Sequence, residues 1–239
     1  RQRQMCIRDR QQVAEVAQKV AKEKYGLDVE LVTFNDYVLP NEALSKGDID
    51  VNAFQHKPYL DQQIKDRGYK LVAVGNTFVY PIAGYSKKIK SLDELQPGSQ
   101  IAVPNDPTNL GRSLLLQQQV GLIKLKDGVG LLPTSLDIVE NPKNLKIVEL
   151  EAPQLPRSLD DAQIALAVIN TTYASQIGLT PAKDGIFVEG KESPYVNLIV
   201  AREDNKDAEN VKKFVQAYQS DEVYEAANKI FNGGAVKGW

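Results

Sequence analysis

Along the chain, segments whose apolar positions recur at helical spacing alternate with segments whose apolar and polar positions alternate as in a strand. From Gln11 onward, the first half reads as helices over 13–25, 42–46 and 58–67, and as strands over 27–34, 49–54 and 69–75. Gly47 and Gly68 stand where two of these helices should stop. Strands that alternate with helices over short links predict a mostly parallel sheet covered on both faces.

Two longer apolar passages, 77–85 and 195–201, bracket a second block of the same kind. We predict strands over 100–104, 145–150 and 164–169, a helix over 107–120, and closing helices near 206–219 and 221–231. If the chain leaves one lobe at the first passage and returns at the second, the result is an α/β protein of two lobes joined by two crossing strands. Lobe one is then 11–82 plus 198–239, lobe two is 83–197, and a ligand would bind in the cleft between them.

The first ten residues, RQRQMCIRDR, do not share this regular pattern. They contain four arginines and lack the apolar central run of a secretory signal. We interpret residues 1–10 as a non-native or disordered segment and assign no role to Cys6. A disordered basic arm fits the composition equally well.

Composition removes several classes of function. In 239 residues, acids and bases nearly balance at a net charge of −2, which gives no electrostatic signature of nucleic-acid binding. A single cysteine and a single histidine argue against an internal disulfide and a metal cluster, and we expect no cofactor. No apolar run approaches the roughly 20 residues that a membrane-spanning helix needs.

Four rings follow the ends of two neighbouring predicted strands: Tyr37, Phe54, His56 and Tyr59. Together they would form an apolar slot with polar edges. Taken singly, each has a simpler interpretation, in which Phe54 and Tyr59 belong to the core and His56 caps a turn.

Arg112 lies in the first turns of the helix that Asp106 and Pro107 begin. An arginine is unfavourable near a helix N-terminus, whose partial charge is positive, unless an anion lies between them. We therefore predict that Arg112 binds a ligand carboxylate. The alternative is an exposed arginine that reaches a surface acid.

Two asparagines interrupt apolar strands, Asn170 after 164–169 and Asn197 inside 195–201. A buried amide must find partners or cost about 1–3 kcal/mol. Because an amide both donates and accepts hydrogen bonds, it suits a ligand that carries an ammonium and a carboxylate. A structural asparagine bonded to neighbouring backbone is the alternative.

Catalytic patterns are weak in this sequence. The only suggestive acid pairs are Asp160 with Asp161, which fits a helix cap, and Asp48 with Asp50, which fits a solvent-facing turn. Neither pair has a histidine nearby in sequence. We predict that the protein is not an enzyme.

Four segments resemble one known family: 36–60, 103–114, 165–174 and 193–200. They are similar to the MetQ/NlpA family of methionine-binding lipoproteins of bacterial ABC importers. The resemblance implies a type II periplasmic-binding fold that closes around methionine and delivers it to a membrane permease with its ATPase, acting as a monomer. It also implies that Arg112 holds the ligand carboxylate, Asn170 and Asn197 bind the amino and carboxylate groups, and the four rings surround the thioether.

The family resemblance implies a periplasmic lipoprotein anchored to the inner membrane in its complete native form. Such proteins begin with a signal peptide, a lipid-modified cysteine and an apolar strand that leads into the helix at Gln11. Here the segment 1–10 stands in the place of that strand, and the signal and lipid-attachment motifs are absent from it. We expect this chain to be less stable than the complete domain, because loss of a strand from inside the sheet of lobe one would leave neighbouring edges unpaired.

Two other classes of function remain open on the sequence alone. An enzyme could use the same two-lobed scaffold, since one fold hosts many functions. A regulatory effector domain of a transcription factor is the other, and only the family resemblance argues against it.

Overall fold

The computed structural model describes residues 8–190 and 193–239. Its helices are α1 Arg8–Tyr25, α2 Leu39–Lys46, α3 Lys57–Arg67, α4 Pro107–Gln119, α5 Leu155–Ser158, α6 Thr171–Ala174, α7 Pro181–Asp184, α8 Glu209–Tyr218 and α9 Asp221–Ile230. Its strands are β1 Val51–His56, β2 Leu71–Asn76, β3 Phe78–Val79, β4 Ala83–Tyr85, β5 Gln100–Pro104, β6 Lys124–Leu125, β7 Ile138–Glu140, β8 Lys146–Leu150, β9 Ile164–Ile169, β10 Phe187–Val188, β11 Asn197–Arg202 and β12 Val236–Lys237.

The described residues divide into two compact units. Unit 1 holds the residues up to Tyr80 and those from 193 to the end, and unit 2 holds Pro81–Gly190. The chain therefore passes between the units twice. The first division lies within the apolar passage predicted at 77–85, and the second lies a few residues ahead of the passage predicted at 195–201.

Helix α1 begins earlier than the sequence pattern indicates. Residues 8–10 continue the helix that was predicted from Gln11, so the expectation of a disordered segment is wrong for these three residues. The reason is that a helix with a well-packed face can extend by a turn whatever the composition of that turn. The face of α1 that includes Val13 and Ala17 is fully buried in the core of unit 1. Residues 1–7 lie outside the described residues.

The sheet of unit 1 differs in direction from the prediction. Its order is β1-β11-β2, and β11 is antiparallel to both neighbours. The prediction of a mostly parallel sheet is therefore wrong for unit 1, because the strand that follows the chain's return is inserted between two strands of the first half. Sequence order cannot reveal such an insertion, since it joins segments more than 100 residues apart.

Residues 27–34 do not form the predicted strand. The exposure of their side chains does alternate along the segment, as in a strand. Within the described residues, however, the segment belongs to no sheet. This segment and the 48–54 stretch that includes most of β1 line one cavity of about 400 Å³. The alternating sequence pattern thus predicted which side chains are more exposed, but it did not predict whether a neighbouring strand pairs with the segment.

The helices that flank β1 confirm the glycine stop signals. Gly47 ends α2 and Gly68 ends α3, each with a left-handed backbone at φ 87° and 69°. A side chain at such an angle would be strained, so glycine fits both positions. These two stops fix the lengths of the helices on either side of β1.

Unit 2 contains a five-stranded sheet in the order β10-β4-β9-β5-β8. Here β5 is parallel to both β8 and β9, while β4 is antiparallel to β9 and to β10. Its core includes Ile101, Val103, Leu166 and Val168, all fully buried, and α4 packs on it through Leu114. The strand that enters unit 2 at the first passage is again the antiparallel one. Within the described ranges, no helix has the length and apolar character needed to cross a membrane.

Candidate functional site

The four predicted rings form one cluster in unit 1. Tyr37, Phe54 and Tyr59 lie with ring centroids 5.9–6.1 Å apart in pairs, and the His56 ring lies 6.2 Å from Tyr59. All four contacts are tilted or edge-to-face, and aromatic quadrupoles favour edge-to-face packing over a face-to-face sandwich. We call Tyr37, Phe54, His56 and Tyr59 the ring cluster.

A buried amide network holds the strand that carries Phe54 and His56. The Asn41 side chain donates to Gln55 at 2.9 Å, and both Asn52 and Gln55 donate to Asn41 Oδ1, at 3.0 and 2.7 Å. The β1–β11 register shifts between Asn52 and Gln55, so these two side chains both point inward. The bulge leaves Phe54 partly exposed beside them. The network therefore fixes α2 against β1 and sets the direction of Phe54.

His56 caps helix α3, as its simpler interpretation proposed. Its Nδ1 accepts a hydrogen bond from the Tyr59 backbone N–H at 3.2 Å. The Tyr59 hydroxyl donates to the Tyr37 carbonyl at 2.7 Å, which ties α3 to the segment that precedes α2. A further ring, Tyr195, lies 5.0 Å from the His56 ring. Sequence reasoning missed Tyr195, although it belongs to the apolar passage that contains Asn197.

Asn197 lies in unit 1 beside the ring cluster. It begins β11 and stands opposite His56 in the ladder with β1. Its backbone carbonyl accepts from the N–H and the hydroxyl of Thr77, at 2.7 and 3.1 Å. Residues that face each other in a sheet have Cβ atoms about 5 Å apart, so the Asn197 amide adjoins the His56 ring.

Arg10 contacts this part of unit 1, which the sequence analysis did not predict. Its Nη1 donates to the Phe54 carbonyl at 3.1 Å and to Asn197 Oδ1 at 3.3 Å. Its guanidinium also lies 4.3 Å above the Tyr80 ring. Burial raises the pKa of Tyr80, and the nearby charge of Arg10 partly offsets that effect. The expectation that residues 1–10 are disordered is thus wrong at Arg10.

Arg112 and Asp106 occupy the start of α4 in unit 2. The Asp106 carboxylate caps the helix by accepting from the Asn109 N–H at 3.1 Å and from the Asn109 amide. The anion at this helix N-terminus is therefore a side chain of the protein itself. Arg112 lies one turn further on and is nine-tenths buried or more, so the alternative of an exposed arginine is excluded.

The Arg112 guanidinium binds the Glu189 carboxylate at two points. Its Nε lies 2.9 Å from Oε2, and its Nη2 lies 2.6 Å from Oε1. The two side chains are only 3% and 11% exposed. The sequence analysis predicted a ligand carboxylate as the partner of Arg112. It missed Glu189, because no local pattern links residues 77 positions apart.

Asn170 is hydrogen-bonded to α4, the helix that carries Arg112. Its Nδ2 donates to Asn109 Oδ1 at 3.1 Å, and Asn109 precedes Arg112 by one helical turn. Residues at that spacing have Cβ atoms about 5–6 Å apart. The Oδ1 of Asn170 is buried and has no hydrogen-bond partner among the described residues. An acceptor in that state favours a ligand donor.

Each unit carries its own set of candidate binding groups. Unit 1 brings together the ring cluster and one amide, Asn197. Unit 2 brings together a guanidinium and a second amide, Arg112 and Asn170, which we call the polar pair. A guanidinium binds carboxylate, and the amide oxygen accepts from an ammonium, so the polar pair matches the two charged groups of an amino acid.

Comparison with known proteins gives the family. A family model described as NlpA lipoprotein matches residues 5–239. The D-methionine-binding lipoprotein MetQ of Escherichia coli (strain K12) is 95% identical over 229 residues, which are 96% of this chain and 84% of that protein.

Two solved structures share the fold at lower identity. A nutrient binding protein from Burkholderia cenocepacia bound to methionine is 55% identical, with a TM-score of 0.93 and 96% of each chain covered. An ABC transporter, periplasmic substrate-binding protein from Coxiella burnetii is 50% identical, with a TM-score of 0.93 and 96% of each chain covered. The fold is therefore that of the periplasmic binding proteins, and the chain belongs to the NlpA lipoprotein family, as the resemblance of its motifs predicted.

Proposed function

We propose that this chain is an extracytoplasmic binding protein that captures methionine by closure of its two lobes and delivers it to an ABC importer. The observation that carries the proposal is the methionine bound to the Burkholderia relative of the same fold. The name of the Escherichia coli relative, which gives D-methionine as its ligand, supports the same class of ligand. Binding of ligand would stabilise the closed form relative to the open one.

The ring cluster is proposed to select the side chain of the ligand. Tyr37, Phe54, His56 and Tyr59 offer ring edges and faces at 5.9–6.2 Å spacing. A thioether sulfur near an aromatic ring gains about 0.3–1.5 kcal/mol per contact. A slot of rigid rings also discriminates by the length and shape of the side chain. Tyr195, beside His56, extends this proposed slot.

The polar residues are proposed to bind the charged end of the amino acid. Arg112 would bind the carboxylate, and Asn170 and Asn197 would bind the amino and carboxylate groups. The orphan Oδ1 of Asn170 supports an ammonium contact, since an ammonium donates hydrogen bonds and does not accept them. Each unit then supplies part of the recognition.

The second candidate function, an enzyme on the same scaffold, has no observation in its favour. The two acid pairs considered from sequence lie at exposed or partly exposed positions, and Asp160 pairs with Lys87 at 2.6 Å. The relatives are named as binding proteins, and the protein is accordingly a binder, not an enzyme.

The partners proposed for this chain follow from the same class. A periplasmic substrate-binding protein of an ABC transporter delivers its ligand to a membrane permease, which an ATPase drives. We propose these two partners, and a monomer as the acting form. The lipoprotein name of the relatives supports a native form held at the inner membrane on its periplasmic side.

Identification of the natural ligand tests this proposal. The chain is purified without added amino acids and denatured, and the released small molecules are identified by mass spectrometry. Methionine in an amount close to that of the protein supports the proposal. A different molecule in that amount would overturn it. A sample that releases nothing is then incubated with each methionine enantiomer, dialysed and measured again, and release of neither would equally overturn it. Incubation for hours with recovery of unchanged methionine separates a binder from an enzyme.

A further inference from the structure

The Arg112–Glu189 ion pair fixes the orientation of the Arg112 guanidinium. Two parallel N–H to oxygen contacts, at 2.9 and 2.6 Å, hold the guanidinium plane in line with the carboxylate plane. A single contact would leave the guanidinium able to rotate. The pair is almost fully buried, so water does not loosen it.

Glu189 is itself fixed by the backbone of unit 2. Its N–H donates to the Ile82 carbonyl at 3.0 Å, and its Oε1 accepts from the Ile82 N–H at 3.4 Å. These contacts continue the antiparallel pairing of β10 with β4, in which Phe187 faces Gly84. A Cβ on Gly84 would lie 2.4 Å from the Phe187 ring, so the ring packs directly on the backbone of β4 at this glycine. The carboxylate position is therefore set by the sheet.

Stability alone does not account for a buried ion pair. Replacing such a pair by apolar residues of similar size is often neutral or stabilising, because both charges lose their hydration on burial. An ion pair kept in that environment therefore favours a role in orientation. Arg112 is also the residue proposed to bind the ligand carboxylate, and it lies one helical turn after Asn109, the hydrogen-bond partner of Asn170.

We propose that Glu189 is a positioning residue that sets the plane and rotation of the Arg112 guanidinium for carboxylate recognition. This inference rests on the proposed function and adds to it the residue that acts through Arg112. It requires no contact between Glu189 and the ligand. The consequence is that loss of Glu189 weakens ligands that carry a carboxylate and spares ligands that lack one.

The test compares two ligands across four proteins by calorimetry. The ligands are methionine and methioninamide, in which an amide replaces the carboxylate. The proteins are the unmodified chain, Glu189→Gln, Arg112→Gln and the double variant. Glu189→Gln should weaken methionine by about tenfold or more, the scale of one charge-assisted hydrogen bond, and should change methioninamide by less than about twofold. The double variant should bind methionine within about twofold of Arg112→Gln.

A matched control is Glu140→Gln, which removes an exposed carboxylate of the same unit that pairs with Lys124. It should leave both ligands unchanged. Glu189→Asp retains the charge with a shorter side chain and should fall between the unmodified chain and Glu189→Gln for methionine only. If Glu189→Gln fails to fold, the Asp variant carries the same comparison.

The calorimetric results distinguish a failure of the proposed role of Glu189 from a failure of the proposed function. Equal losses for both ligands in Glu189→Gln, or no loss for methionine, would overturn the role of Glu189 while the proposed function stands. Losses that add fully in the double variant would overturn it as well, because Glu189 would then act independently of Arg112. Absence of methionine binding by the unmodified, folded chain would overturn the function and the inference together.

Discussion

His56 and Asn197 stand opposite each other across the antiparallel pair of β1 and β11. One contributes a ring to the ring cluster, and the other contributes an amide. The two residues come from distant parts of the chain, and the insertion of β11 between β1 and β2 brings them together. An apolar slot and a polar anchor thus share one sheet of unit 1.

Removal of either site amide should weaken ligand binding. Asn197→Ala and Asn170→Ala should each reduce the affinity for methionine about tenfold or more, because each leaves a polar group of the ligand without its partner. The measurement is equilibrium titration by calorimetry.

Asn228→Ala is the matched control, since Asn228 is exposed on α9. It should bind methionine as the unmodified chain does. Normal binding by both site variants would contradict the assignment of these amides.

Arg10 occupies one acceptor that the ligand is proposed to use, the Asn197 Oδ1. Because its Nη1 donates to Asn197 Oδ1 and to the Phe54 carbonyl, Arg10→Ala should release both groups. We expect the affinity for methionine to rise roughly twofold to tenfold, the net worth of one hydrogen bond that no longer competes. The melting temperature should fall, since the contact with the Tyr80 ring is lost.

Arg67→Ala on the exposed end of α3 serves as the control for loss of one positive charge, and it should change neither quantity. Weaker methionine binding in Arg10→Ala would show that Arg10 contributes to ligand affinity and would contradict this prediction.

Arg112→Ala should destabilise the protein through the charge it leaves behind. Glu189 would remain buried without its partner, a change that typically costs about 3–5 kcal/mol. The free energy of unfolding in urea measures the loss. A double variant, Arg112→Met with Glu189→Leu, removes both charges and should be more stable than Arg112→Ala. If the double variant is the less stable of the two, the buried charge is not the cause.

Alkaline pH should destabilise the fold through buried tyrosines. Burial is the main cause that raises the pKa of Tyr80, Tyr85 and Tyr218, with smaller effects from neighbouring groups. In the unfolded chain these phenols ionise near pH 10. The folded state therefore binds more protons above that pH, so the stability present below about pH 10 is lost as the pH rises through the raised values.

Two measurements check this expectation. Absorbance of tyrosinate should show that part of the tyrosines resists ionisation until the protein unfolds. The urea midpoint should fall between about pH 8 and about pH 11, and it should fall less in Tyr85→Phe. A midpoint independent of pH over this range would refute the effect.

Local signals in the sequence predicted much of the fold. Pro58 with Gly68 bounded α3 to within one residue, because proline and glycine act through their own backbone angles. The proximity of the four rings was also predicted from their places along the chain, although the strand expected before Tyr37 does not form. The family was identified from four sequence motifs taken together, and not from composition or periodicity.

Long-range pairing accounts for most of what the sequence did not predict. The partner of Arg112 is Glu189, and the partner of β1 is β11, and neither follows from local periodicity. The 27–34 segment shows the converse, since its alternation is a local property whereas a ladder needs a neighbour. Arg10 was missed because composition suggested disorder, whereas helix extension and the Tyr80 ring give it contacts.

The most direct test of the whole account is calorimetric titration of the folded, ligand-stripped chain with methionine. We predict saturable binding of one molecule per chain, far tighter than binding of an amino acid with a charged side chain such as glutamate, and no conversion of the methionine. A folded chain that shows no saturable binding of either methionine enantiomer would contradict the account.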